Sequence, residues 1–244
     1  MNLTIDIGNT SSKYAIFNKM QTVISGKIPS DEILFYKKIV EEYPIKRAIF
    51  SSVVQEQNSD IQSILLESKI TITKFNHNTL LPFTNCYKSP KTIGLDRLAS
   101  VAGAQFHYPN EDLLVIDAGT AITYDFLNAN GEFLGGNISP GLQMRYKALN
   151  MFTERLPLLE ANQNEMSLIG KTTNEAINNG ILNGLTFEVD GMIEESKQHY
   201  PNLRIVFTGG DAFFFDAKIK NRIFVHPNLV LEGLNSILQY NAEK

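Results

Sequence analysis

Two short stretches of this 244-residue chain combine a carboxylate, a glycine and a hydroxyl in the same order, Asp6-Ile7-Gly8-Asn9-Thr10 and Asp117-Ala118-Gly119-Thr120. Glycine lets a backbone approach a phosphate closely, and a threonine hydroxyl beside it adds a donor. Asp6 and Asp117 each end an apolar run, where a carboxylate would repel a polyphosphate unless a hard cation on oxygen ligands lay between them; Lys13 adds positive charge. One such stretch alone is more often an ordinary Asp-Gly hairpin turn. Two in matching contexts favour a pair of phosphate loops and an internal duplication. Asp117 follows Asp6 by 111 positions, while Tyr124 follows Tyr14 and Leu127 follows Phe17 by 110, so the second copy has lost one residue.

The elements that must carry these loops follow from apolar periodicity. Residues 3–6, 12–17 and 22–28 read as a three-strand meander. A helix follows, with Ser30 as N-cap and Pro44 as its end, then a strand over 48–54, a helix over 57–68 and a strand over 70–75, giving βββαβαβ. The same grammar returns with strands at 113–118, 121–127 and 132–139, helices including a long one at 173–200, and a strand at 204–208. Gly180 and Gly184 on the long helix fit close packing inside the fold or a subunit contact. Gly209-Gly210-Asp211 opens another helix whose N-terminus would face a phosphate or an adenosine, and Ser51-Ser52 holds the matching place in the first half; either can be a plain turn.

Composition narrows the partners. With 43% hydrophobic and 20% charged residues and a net charge of −4, the chain reads as a globular protein with no basic run to bind nucleic acid. A small-molecule partner is expected. Cys86 stands alone, which excludes an intramolecular disulfide and fits a reducing compartment; it reads as a small core residue. There is no basic and apolar leader pattern and no apolar stretch of membrane-spanning length, so a cytoplasmic protein without a membrane partner is expected. His77, His107, His199 and His226 lack metal-ligand spacing and read as structural or surface residues. Asp125 reads as a solvated hairpin residue rather than a support for the second loop, and Phe213, Phe214 and Phe215 as core packing.

The duplicated pattern resembles the actin-like superfamily of kinases and ATPases, whose two βββαβαβ domains hold ATP in a cleft between them. Within it the chain resembles type III pantothenate kinases, on Asp6-Ile7-Gly8-Asn9-Thr10, Gly94-Leu95-Asp96-Arg97, Asp117-Ala118-Gly119-Thr120-Ala121, residues 135–141 and Thr208-Gly209-Gly210 in that order. The resemblance covers almost the whole chain. It implies an α/β fold of two duplicated domains, residues 1–110 and 111–244, with the last helix packing back across the cleft. It also implies phosphorylation of pantothenate by ATP, the first step of coenzyme A synthesis, in a homodimer that uses Mg²⁺ and a monovalent cation, K⁺ or NH₄⁺.

By the same resemblance, Asp6, Ile7, Gly8, Asn9, Thr10, Ser11, Ser12 and Lys13 hold the ATP phosphates together with Thr120, and Asp117 binds the monovalent cation. Tyr87, Gly94, Leu95, Asp96, Arg97 and Thr172 contact pantothenate, with Asp96 as catalytic base. Chemistry supports Asp96, because phosphoryl transfer needs positioning, charge neutralisation and one carboxylate for the acceptor's proton. On residue type alone, Asp96-Arg97 is a surface helix start and Thr172 a helix N-cap. Gly170-Lys171-Thr172 mimics the end of a P-loop, but Glu165 stands where the motif needs its first glycine. Two other readings stay open: an actin-like kinase for another small alcohol, and a non-catalytic regulator that binds ATP.

Overall fold

The computed structural model describes residues 1–8, 11–52, 57–163, 166–216 and 218–244. Chain order begins with β1 (Asn2–Ile7), β2 (Ser11–Asn18), β3 (Gln21–Pro29), α1 (Ile33–Glu42), β4 (Arg47–Ser52), α2 (Gln57–Glu67) and β5 (Thr71–Lys74), then β6 (Thr84–Asn85) and α3 (Leu95–His107). It continues with β7 (Leu113–Ala118), β8 (Ala121–Leu127), β9 (Glu132–Pro140), α4 (Leu142–Met151), α5 (Thr173–His199), β10 (Arg204–Thr208), α6 (Ala212–Asp216), β11 (Ile223–Val225) and α7 (Leu229–Ala242).

The chain forms two compact units, one of Met1–Pro109, Gly131–Phe133 and Asn228–Lys244, the other of Asn110–Asn130 and Leu134–Pro227. The segments 131–133 and 228–244 thus join the first unit, where a single cut after residue 110 would put them in the second half. In the first unit the strands lie in the order β3-β2-β1-β4-β5, with β1 antiparallel to β2 and parallel to β4. In the second, β9, β8, β7, β10 and β11 repeat that order. The match identifies β11 as the counterpart of β5, a three-residue strand too short to leave a periodic signal.

Each sheet is built on a central strand buried on both faces. Leu3, Ile5 and Ile7 of β1 join Tyr36, Ile39, Phe50, Ile61 and Leu65 in one core. Leu114, Ile116 and Ala118 of β7 join Ile181, Leu185, Val189 and Phe207 in the other. Covered on both sides, β7 is apolar apart from Asp117, while β1 alternates, with Leu3, Ile5 and Ile7 on one face and Asn2, Thr4 and Asp6 on the other; the single less buried residue in each strand is its aspartate.

Within the first unit, α7 packs on α3 and on β1. Asn235 on α7 accepts from the amide of Asn2 at 2.8 Å and donates to the Lys19 carbonyl at 2.8 Å, which satisfies a wholly buried side chain. The two helices touch backbone to backbone, since a Cβ on Gly233 would lie 1.7 Å from the Ala99 oxygen.

Several local expectations change. Helix α1 begins at Ile33 with Glu32 as its uncapped boundary, and Ser30 is a buried residue that caps nothing. Gly180 and Gly184 face open space, where an added Cβ would touch nothing, so they do not serve close packing within the unit. Cys86 is exposed: just past β6 the backbone keeps alternating, with Thr84 and Cys86 outward and Asn85 and Tyr87 partly buried. Phe214 and Phe215 are core residues as expected, while Phe213 is 64% exposed.

Because α3 can shift only by losing contact with α7, Gly233→Ala is expected to destabilise the protein by about 1–3 kcal/mol, a fall of several degrees in Tm. Thermal unfolding of the variant against wild type checks this, and an unchanged Tm would show that the helices part without cost.

Candidate active site

Asp6 is the penultimate residue of β1, paired with Lys13 across the β1–β2 hairpin and with Ser51 on β4. The hairpin closes when the Gly8 amide donates to the Ser11 carbonyl at 3.1 Å. The Gly8 carbonyl is held from the end of β3, by the hydroxyl of Ser30 at 2.8 Å, and the Ser12 hydroxyl lies 3.4 Å from that of Ser30. Ile7 and Ser12 are buried and Lys13 is half-buried; the expected contacts Asn9 and Thr10 lie outside the described residues.

The second unit repeats the device with a tighter turn. The Gly119 amide donates to the Ala121 carbonyl at 3.1 Å, one residue nearer than in the first loop, which is the deletion read from the sequence. The Thr120 carbonyl accepts from the Gly141 amide at 3.1 Å. Gly141 follows Pro140 at the end of β9 as Ser30 follows Pro29 at the end of β3, so both loops are held from the end of the third strand. Only glycine fits there, since a Cβ on residue 141 would lie 2.1 Å from the Gly119 oxygen and 2.4 Å from that of Thr120.

Asp117 pairs with Thr123 on β8 and Thr208 on β10. The Gly209-Gly210-Asp211 turn returns to the end of β7, where the Asp211 amide donates to the Ala118 carbonyl at 2.9 Å. A cavity of about 430 Å³ opens here, lined by Gly119, Thr120, Gly210 and Asp211 and, from α4, by Gln143, Met144 and Lys147. Thr172 does not line it. Thr172 is the N-cap of α5, its hydroxyl accepting from the Glu175 amide at 3.2 Å, while the Glu175 carboxylate reaches back to accept from the amide of Lys171, the residue before the cap, at 2.7 Å.

The remaining expected substrate residues gather in the first unit. Asp96 is exposed in the first turn of α3, and its carboxylate accepts from the Arg97 amide at 2.9 Å. Gly94 is the boundary residue of that helix and Leu95 opens it. Arg97 is 5% exposed, not a surface residue, and its guanidinium carbon stands 5.9 Å from the centre of the Tyr87 ring. Tyr87 in turn lies against Phe133, ring centres 6.3 Å apart.

Burial raises the Asp6 carboxyl to about 6, with repulsion from Asp96 adding to the shift and Lys13 opposing it. The two carboxylates therefore feel each other. Carboxylates that share a field and lack full compensation fit a hard divalent cation, so the first loop suits Mg²⁺ by its chemistry.

Three residues that matter here escaped the sequence reading. Ser30 supports the first loop through its hydroxyl; its N-cap composition pointed elsewhere. Thr123, whose buried hydroxyl has no hydrogen-bond partner among the described residues, lies opposite Asp117, a placement that strand register alone would have suggested. Asp125, expected to be solvated, is completely buried, because it alternates onto the same face as Thr123 beneath Gly136. Of the histidines, His77 meets the Ile93 carbonyl at 2.9 Å just before Gly94, and His107 pairs with Glu232 at 2.7 Å.

Two sheets of the same strand order, each with a carboxylate and a glycine turn at the end of its central strand, define the actin-like class of kinases and ATPases. Solved structures agree on the fold: a putative N-acetylmannosamine kinase from Listeria monocytogenes superposes with a TM-score of 0.54 at 12% identity, covering 98% of this chain and 99% of that one. A conserved putative Baf family transcriptional activator from Campylobacter jejuni gives 0.64 at 21% identity over 99% and 100%. The type III pantothenate kinase family matches residues 2–195, and the type III pantothenate kinase of Phocaeicola vulgatus is 45% identical over 99% of each chain. The chain belongs to the type III pantothenate kinase family.

The Asp6 shift has a sign that can be tested. With its native pKa raised above the ordinary carboxylate value, Asp6 binds its proton more tightly folded than unfolded, so it costs stability as pH rises from about 4 to 6 and continues to do so above. Asp6→Asn is expected to stabilise the ligand-free protein by about 2 kcal/mol at pH 7.5 and by nothing below pH 4. Denaturant titrations at the two pH values check this; equal gains at both would mean that the charge is not the cost.

Proposed function

We propose that this kinase transfers the γ-phosphoryl group of ATP to the primary hydroxyl of pantothenate, making 4′-phosphopantothenate in the first step of coenzyme A biosynthesis. The observation that carries the reading is the exposed Asp96 carboxylate, near enough to Asp6 at the first loop that its repulsion adds to the rise burial gives the Asp6 carboxyl. An acceptor hydroxyl bound at Asp96 would meet the phosphate end of a nucleotide held by that loop.

In this mechanism Asp96 orients the hydroxyl and takes its proton as the new P–O bond forms and the bond to ADP breaks. Arg97 and Tyr87, one stacked over the other, hold the rest of pantothenate together with Gly94 and Leu95, and Thr172 contributes through its hydroxyl. The amides of Gly8 and Gly119 close their own turns. Phosphate contacts therefore fall to the residues that follow them, Asn9, Thr10, Ser11, Ser12 and Lys13 in the first loop and Thr120 in the second. Asp6 would hold Mg²⁺, which when bound neutralises phosphate charge. Asp117 would hold K⁺ or NH₄⁺, with the partnerless Thr123 hydroxyl opposite it as a second oxygen ligand.

We further propose that the enzyme works in the cytoplasm as a homodimer, and that residues 1–110 and 111–244 descend from one duplicated ancestor. Among the described residues no helix is long and apolar enough to cross a membrane. The dimer reading is supported by a stripe on α5, where Gly180, Gly184, Phe187 and Gly191 recur at helical spacing on the exposed side, and by the exposed Phe152, which lines a cavity together with Gly180.

An ADP-release assay with MgATP, comparing pantothenate with glycerol, acetate and common sugars in K⁺ and Na⁺ buffers, tests the substrate and the monovalent ion together. Turnover only with pantothenate, and more in K⁺ than in Na⁺, is the expected outcome. Asp96→Asn is expected to fold normally and to lower kcat by roughly 10² to 10⁴; full turnover by that variant removes Asp96 from the proton step.

A further inference from the structure

The second loop has a charged side-chain support of its own. Arg145 on α4 donates from Nε to the Pro140 carbonyl at 2.9 Å, and from its terminal nitrogen to the Ser139 hydroxyl at 2.9 Å and to Glu188 Oε2 at 2.6 Å. Glu188, midway along α5, accepts through Oε1 from the Ser139 hydroxyl at 2.6 Å and from the Tyr124 hydroxyl at 3.0 Å. Three elements and the central hairpin thus meet on one carboxylate. These bonds overcome the desolvation of Glu188 and hold it ionised below the usual carboxylate range, while burial and the neighbouring carboxylate push Tyr124 up.

What the network holds is the segment that ends in Gly141. Ser139 and Pro140 are its direct ligands, and the next residue carries the amide that fixes the Thr120 carbonyl. No slack separates them, given how closely the Gly141 backbone lies on Gly119 and Thr120. In the first unit the Ser30 hydroxyl holds the corresponding loop carbonyl, that of Gly8.

We propose that Glu188 and Arg145 are positioning residues for nucleotide binding, setting the conformation of the Gly119-Thr120 loop through Ser139, Pro140 and Gly141. The proposal rests on the reading that this loop holds ATP. Neither residue need touch the nucleotide. Charge-assisted hydrogen bonds are the strong ones in such a network, and a loop released by a fraction of an ångström loses alignment with its phosphate.

The test is steady-state kinetics of Glu188→Gln and Arg145→Lys beside Tyr146→Phe, which breaks a buried bond from α4 to Asn178 on α5 at 2.6 Å without touching the network. The first two are expected to raise the KM for ATP roughly ten-fold while leaving the KM for pantothenate within about two-fold, and Tyr146→Phe to lower Tm with both KM values unchanged. An ATP KM unmoved in Glu188→Gln or Arg145→Lys, or moved equally by Tyr146→Phe, overturns the proposal. Should Glu188→Gln fail to fold, Arg145→Lys decides alone, since it keeps the charge and loses the Nε donor to Pro140. Wild-type protein that releases no ADP with pantothenate would instead refute the kinase reading, so the two failures are distinguishable.

Discussion

A carboxylate at the end of a buried central strand is an expensive thing to keep, and much of this protein's active-site design follows from keeping it. Asp6 stands between Ile5 and Ile7 on β1, and Asp117 between Ile116 and Ala118 on β7. Burial alone would drive such a group towards its neutral form, and in Asp6 it does so, with Asp96 pushing the same way. The ligand-free carboxylate is therefore held at an electrostatic cost, which in the proposed function a cation arriving with a polyphosphate would relieve. Stability given up in the empty state becomes binding energy in the filled one.

A charge of that kind works only if the loop beside it holds still. In both units the first hairpin closes on its own glycine amide and is then pinned from the end of the third strand, once through the Ser30 hydroxyl and once through the Gly141 amide. The chemistry differs while the position is shared, as expected after duplication: the backbone geometry is retained and each copy finds its own side chains for it. The tighter second turn leaves less room, which accounts for glycine at 141 where the first unit tolerates serine at 30. In the first unit α3 is held against α7 by backbone contact, so Asp96 and Arg97 stand at the start of a helix that α7 fixes in place.

Most of the strand grammar was legible from alternation and apolar runs, because β1 and β7 carry signals strong enough to align by eye with their following strands. The repeated strand order could be anticipated from that repetition. Local capping was misread where a residue had two uses: Ser30 has the composition of an N-cap, yet its hydroxyl is drawn to the Gly8 carbonyl, a partner remote in sequence. Arg97 and Asp125 were read as solvated because charge usually is, and both are buried, since strand register and the packing of α3 outweigh residue type. The network at Glu188 joins residues from 124 to 188, and no spacing rule connects such positions before the helices are packed.

The measurement that tests the central claim most directly is calorimetric binding of a non-hydrolysable ATP analogue to wild type and Asp6→Asn, each with Mg²⁺ and with the metal chelated. If Asp6 holds a charge that a cation must bridge, the variant binds at least about ten-fold more weakly than wild type with Mg²⁺ and more tightly than wild type without it, because the repulsion has gone. Equal affinities in both conditions would contradict the account and reduce Asp6 to a turn residue.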